Sequence, residues 1–225
     1  EYWNSSREAC LQLIAKTHNV NNALPLEVPD TFRKLRPWVK NGWEMVLLAA
    51  ELVREDSLLR HNPDNFAYNY KANCNQALNL WGWSKKNLQT ALDNVRKQAI
   101  STNKKKWLTS HSVFPGVADR ITQLTNEGTD FAVLTTKSAA FTSELLTHYN
   151  LFPQLLYGYE SGKKPTLLLQ IAKDRTIKGF IEDRRATLET VIKTPDLSDT
   201  PCYLASWGYL KPNDSQNLPA GINLL

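Results

Sequence analysis

From Glu1 to about Ser110, apolar positions recur at spacings of three, four and seven, the period of a helix with one buried face. The stretch "EYWNSSREACLQLIAK" (1–16) puts Trp3, Cys10, Leu11 and Ile14 near one face and predicts a first helix. "TFRKLRPWVKNGWEMVLLAAELVRE" (31–55) predicts a second long helix, kinked or begun at Pro37, and "WSKKNLQTALDNVRKQAISTNKKKW" (83–107) a third, with Ser84 as its N-cap. Strand patterning is nearly absent here, so residues 1–110 are expected to form an α-helical domain and residues 111–225 a second one.

From Val113 onward the period changes. "FPGVADRITQLTNEG" reads as a turn and a helix closed by Gly128, followed by a strand at 131–135 and a helix at 138–149. A short strand "QLLYG" precedes a helix over 164–172, "IKGFIEDRR" is a strand running into a helix, and "PCYLASWGY" is a last strand entering a loop. Repeated strand-then-helix order predicts an α/β fold with a doubly wound parallel sheet, because right-handed crossovers lay helices on both sheet faces. Ligands of such sheets sit beyond the carboxyl ends of the strands.

The residues at those ends share a chemistry. One strand ends at Thr135, Thr136 and Lys137, another at Glu182 and Asp183, and Lys163 and Lys164 open a helix just after the Ser161-Gly162 turn. Hydroxyl, ammonium and carboxylate together suit phosphoryl transfer: a hydroxyl and backbone amides hold phosphate oxygens, a lysine offsets their charge, and hard carboxylate oxygens hold Mg²⁺. Singly, each has an ordinary reading: an N-cap threonine, a solvated lysine pair, acids at the positive end of the next helix. Their succession at strand ends over about 110 residues points to a site.

Composition narrows the alternatives. The chain has 225 residues, 42% of them hydrophobic, and a net charge of +5. Its basic residues are scattered among 22 acids, with "NKKKW" (103–107) the only dense cluster, which argues for a solvated helical face and against a nucleic-acid partner. Cys10, Cys74 and Cys202 are far apart and in no metal or redox spacing, so free thiols in a reducing compartment are expected. No apolar run is long enough to span a bilayer and no signal-peptide pattern stands at the start, so no membrane association is expected. No strand is followed by Gly-x-Gly-x-x-Gly, which weighs against a dinucleotide site.

"VFPGV", "FAVLTTK", "SGKKP", "FIEDRRATL" and "YLASWGY", in that order, resemble the core of the haloacid dehalogenase superfamily, in its phosphoglycolate-phosphatase-like branch of plant and cyanobacterial type. The resemblance covers 113–225, and the helical part is similar to the family's cap. It implies that Thr135, with Thr136 beside it, binds phosphate, that Lys164 is the catalytic lysine, and that Asp183, with Glu182 beside it, binds Mg²⁺. "WGY" at 207–209 is similar to the family's last core loop, where the implied role is structural. It also implies a first motif, an apolar strand ending Asp-x-Asp that supplies nucleophile and acid/base, set between the strands that end at Thr135 and Asp183. That motif is absent here. Asp30, Asp56, Asp64, Asp93 and Asp119 follow no apolar strand, and Cys10 and His111 lack a partner at useful spacing. The motif is expected in about 10 to 25 residues preceding Glu1, the length of a short terminus plus one strand. Thr187 stands where some members carry a further acid.

The expected function is a Mg²⁺-dependent phosphohydrolase acting on a small phosphorylated metabolite, in the cytoplasm or, for a plant protein, the plastid stroma. The alternative is an inactive member of the fold that binds a phosphorylated ligand or a protein partner. In the cap, Arg36, Lys40, Trp43 and Glu44 are candidate substrate contacts, against the competing reading that Trp38 and Trp43 are core and Arg36 pairs with a helical neighbour.

Overall fold

In a computed structural model, which describes residues 1–17 and 24–225, the chain divides into two compact units, Glu1–Ser112 and Val113–Leu225. The division falls two residues beyond the one expected.

The first unit is helical throughout its described residues: α1 (Tyr2–Thr17), α2 (Asp30–Leu35), α3 (Gly42–Val53), α4 (Leu58–His61), α5 (Pro63–Tyr68), α6 (Tyr70–Trp81) and α7 (Lys85–Thr109). The single helix expected over 31–55 is instead two, joined by a tight turn at Arg36–Trp38 and the extended residues after it. Pro37 lacks the N–H that would continue α2. Asn41 then starts α3 afresh through a capping box in which its side chain and that of Glu44 each accept a bond from the other's backbone. Helix α3 is apolar on nearly every side: Met45, Val46, Leu47, Leu48, Ala49, Ala50 and Val53 are all buried, and α1, α4, α6 and α7 pack around it. Trp3, Cys10 and Ile14 of α1 belong to this core, with Leu11, Trp38 and Trp43 half-buried against it. Ser84 caps α7, its Oγ accepting from Asn87 N–H at 3.1 Å. Inside α7, Asn103 leaves the helical region (φ −155°, ψ 82°), and its Oδ1 accepts from Lys106 N–H at 2.9 Å. The run 104–109 is thus a separately capped segment, anchored by the buried Trp107.

The second unit alternates strands and helices: α8 (Val117–Asn126), β1 (Ala132–Leu134), α9 (Ala139–His148), β2 (Leu155–Tyr157), α10 (Lys164–Ala172), β3 (Phe180–Glu182), α11 (Arg185–Ile192), β4 (Cys202–Leu204) and β5 (Ile222–Leu224). It is mixed α/β, and every strand pair is parallel. The strands form two small sheets, β1–β2 and β3–β4–β5, in place of the one continuous sheet expected. Strand β5, which the sequence reading did not include, closes the second sheet through Cys202↔Ile222 and Leu204↔Leu224. The core behind that sheet is Leu168, Phe180, Leu188, Val191, Leu197, Cys202, Leu204 and Ile222, and Leu134 of β1 packs against it.

In parallel strands alternate residues bond to opposite neighbours. Phe180 N–H reaches Pro201 O and Ala205 N–H reaches Glu182 O, so 180 and 182 face β4 and Ile181 faces away. Thr135 N–H reaches Tyr157 O, so odd-numbered residues of β1 face β2, and Ala132 and Leu134 face away. Among the described residues no strand takes up those outward edges of β1 and β3. Ile181 of β3 is 54% exposed, and α8 buries no residue although Val117, Ile121 and Leu124 form an apolar stripe along it.

Candidate active site

The carboxyl end of β1 turns sharply into α9. Thr135 Oγ1 accepts from Lys137 N–H at 3.1 Å, and Ser138 caps α9 by accepting from Phe141 N–H at 3.3 Å. Thr135 and Lys137 are half-buried in this turn, and Thr136 is exposed at its tip. A second segment, 158–163, is latched to it. Tyr159 N–H donates to Lys137 O at 3.1 Å, and Glu160 Oε1 accepts from Ala139 N–H, at the amino end of α9, at 2.8 Å. The approach is so close at Gly158 that a Cβ there would collide with the Ala139 nitrogen and the Glu160 carboxylate.

That latched segment delivers Lys164, the first residue of α10, to β3. Lys164 Nζ donates to Glu182 Oε2 at 2.5 Å. Glu182 is buried and Lys164 is one-fifth exposed at its side chain, whereas Lys163 is exposed. Burial pushes the Glu182 carboxyl above the usual range, and the Lys164 ammonium offsets part of that rise.

Neighbouring residues at a strand end point to opposite faces, and the two acids accordingly part company. Glu182 turns to Lys164, while Asp183 turns to the loop after β4, where Tyr209 N–H donates to its Oδ2 at 3.1 Å. Gly208 lies directly over Asp183: a Cβ at 208 would overlap the Asp183 Cβ and stand 3.0 Å from Oδ2. Among the described residues Asp183 Oδ1 accepts no hydrogen bond. Of the two acids expected to bind metal, Glu182 is paired with Lys164 and Asp183 accepts from Tyr209 N–H. Among the described residues no cluster of three or more metal-binding side chains is present.

Thr135, Lys164, Glu182 and Asp183 thus belong to one chain of contacts in one unit: the Thr135 turn to Tyr159 and Glu160, that segment to Lys164, Lys164 to Glu182, and Asp183 to Gly208 and Tyr209. The arrangement offers a hydroxyl-bearing turn, a placed ammonium and a carboxylate oxygen at the carboxyl ends of parallel strands.

The candidates in the helical unit have other occupations. Glu44 is buried and accepts from Asn41 N–H at 3.0 Å, Asn41 Nδ2 at 2.8 Å, Lys40 N–H at 3.1 Å and Tyr70 O–H at 2.9 Å. It holds the start of α3 together, with no oxygen left for a substrate. Arg36 lies with its guanidinium 4.7 Å from the centre of the Tyr2 ring, and Lys85 sits 5.2 Å from the Trp43 ring.

Two contributors were not among the candidate site residues. Glu160 and Tyr209 act through a carboxylate at a helix start and a backbone amide. The sequence marked the second only through the "WGY" loop, with an implied structural role.

No protein-family model matches this chain, and neither a curated protein nor a solved structure does. The class is accordingly set by the structure: a helical unit and a mixed α/β unit with parallel strands. Among the described residues no helix is long and apolar enough to cross a membrane.

Proposed function

We propose that the α/β unit is the phosphate-handling part of a Mg²⁺-dependent phosphohydrolase for a small phosphorylated metabolite. The observation that supports this most is the linkage just described, which ties Thr135, Lys164 and Asp183 into one contact chain at the carboxyl ends of parallel strands. The Thr135 hydroxyl and the amides of its turn hold phosphoryl oxygens. Lys164 offsets their charge and lowers the repulsion between phosphate and an attacking carboxylate. Asp183 would hold the cation, and bound Mg²⁺ would supply charge neutralisation at the phosphoryl group.

The nucleophile is an aspartate at the end of an extended segment lying between β1 and β3, whose outward edges are open among the described residues. Its carboxylate oxygen attacks phosphorus and the ester P–O bond breaks. A second acid, two residues on, gives a proton to the leaving alcohol, and water then cleaves the aspartyl-phosphate. A strand in that position would also pair the outward main-chain groups of β1 and β3, which no strand takes up among the described residues.

The test is a panel of phosphorylated metabolites presented to the full-length gene product, with and without Mg²⁺. Mg²⁺-dependent release of phosphate is expected. Asp183→Asn should abolish it with the fold intact, and Lys164→Ala should cost on the order of 10² to 10³ in rate while Lys163→Ala stays near normal. If no substrate is hydrolysed although the edges of β1 and β3 are filled, catalysis is ruled out and ligand binding without turnover takes its place.

A further inference from the structure

The loop from Tyr209 to Gly221 carries the amide that bonds Asp183, and its own turns, with Asp214 Oδ2 accepting from Lys211 N–H at 3.0 Å and Gln216 N–H donating to Asn213 O at 3.0 Å, leave several of its carbonyls for partners elsewhere. It contains two left-handed asparagines, Asn213 (φ 70°) and Asn217 (φ 48°), and turns three carbonyls, those of Asp214, Gln216 and Asn217, toward one point. At that point is the guanidinium of Arg185, the first residue of α11. Nη1 donates to Gln216 O at 2.7 Å and Asp214 O at 3.4 Å, Nη2 to Asn217 O at 3.0 Å, and Nε to Glu189 Oε1 at 2.7 Å.

Arg185 stands two residues after Asp183. A closed ring results: Asp183 Oδ2 to Tyr209 N–H, along the loop to residues 214–217, across to Arg185, and back through Arg184 to Asp183. Inside the ring, Gly208 lies so close over Asp183 that a small displacement of the loop changes the carboxylate's surroundings. Glu189, one turn along α11, fixes Nε and keeps the planar fork aimed at the carbonyls. Lysine cannot reproduce this, because its three donors sit on one nitrogen and cannot spread over the Glu189 carboxylate and three separate carbonyls at once.

From this geometry we infer that Arg185 is a positioning residue for Asp183: it sets the loop that aims the Tyr209 amide at Oδ2 and so leaves Oδ1 without a donor among the described residues. The inference deepens the reading of Asp183 as a cation ligand and rests on it for its functional meaning. Its test needs no metal and no substrate.

Amide hydrogen exchange of the whole chain is followed by NMR in wild type and Arg185→Lys. The Tyr209 amide should exchange about tenfold faster in the variant, the loss expected for one hydrogen bond to a charged acceptor, while amides of β4 keep their wild-type rates. General loosening would speed both sets together. Unchanged Tyr209 protection, or a loss only in step with β4, overturns the inference. Should Arg185→Lys fail to fold, Glu189→Ala removes the acceptor that aims the guanidinium while leaving Arg185 in place, and the same selective loss at Tyr209 is expected, with unchanged protection again overturning it. A wild-type protein that gives the expected exchange result yet binds no Mg²⁺ sinks the cation role of Asp183 and leaves the positioning role standing.

Discussion

Lys164→Ala separates the ion pair's structural weight from any catalytic one. The substitution leaves the Glu182 carboxylate, 7% exposed, without its hydrogen-bonded cation, with only the more distant attraction of Arg184 remaining. Deleting one partner of a fully buried pair costs about 3 to 5 kcal/mol, and the fifth of the Lys164 side chain that meets water lowers that to about 2 to 3 kcal/mol. At 1.4 kcal/mol per decade, amides of Cys202–Leu204, which report opening of the α/β unit, should exchange about 30- to 100-fold faster at pH 7. The pH dependence has a definite sign. Without Lys164 the folded-state carboxyl is raised further above the unfolded value of about 4.3, so the folded state binds the extra proton and stability is regained as pH falls toward that value. Replacing both residues with apolar ones, Lys164→Met with Glu182→Leu, should cost much less than Lys164→Ala alone. If Lys164→Ala loosens the unit no more than Lys163→Ala, a surface change worth within about 0.5 kcal/mol, the buried pair is not what holds α10 to β3.

Gly208→Ala should destabilise the α/β unit by about 1 to 3 kcal/mol through overlap with the Asp183 Cβ, and thermal melts that match wild type would show that the loop yields freely. Burial pushes the Cys74 thiol up to about 12 and raises Cys10 and Cys202 as well. A thiol reagent at pH 8 should therefore find no fast-reacting group in the folded chain and three in denaturant, and one rapid equivalent in the native state would contradict this. Because the folded-state thiols titrate above the unfolded value of about 8.5, the stability they contribute is present below that pH and declines as pH rises from there toward 12.

Where local chemistry alone determines an element, the sequence was a sufficient guide. Helix α10 runs over Lys164–Ala172 as read, and Ser84 caps α7 as its position before a periodic run implies. The break before α3 was also legible, since Asn41 and Glu44 stand at capping-box spacing, but the apolar period carried the reading through it. Strand β5 was not legible, because three residues gain their identity only by pairing with Cys202–Leu204. The site divided along the same line. Thr135, Lys164 and Asp183 lie at element ends, which patterning can place. The separation of Glu182 from Asp183 followed from strand alternation and could have been read. Arg185 could not, since the carbonyls it gathers are 29 to 32 residues away and belong to the main chain.

The interruption of α7 at Asn103 makes a proteolytic weak point of its last six positions. A helix this short is far below the roughly 12 to 15 residues that sustain helicity alone, so 104–109 depends on its Asn103 cap and on the buried Trp107 for its shape. Three consecutive lysines precede that anchor. Each time the indole leaves its pocket, the run becomes extended chain of the kind trypsin-like proteases bind and cut. The burial of one side chain, more than the charge of its neighbours, thus governs how long the end of α7 survives intact.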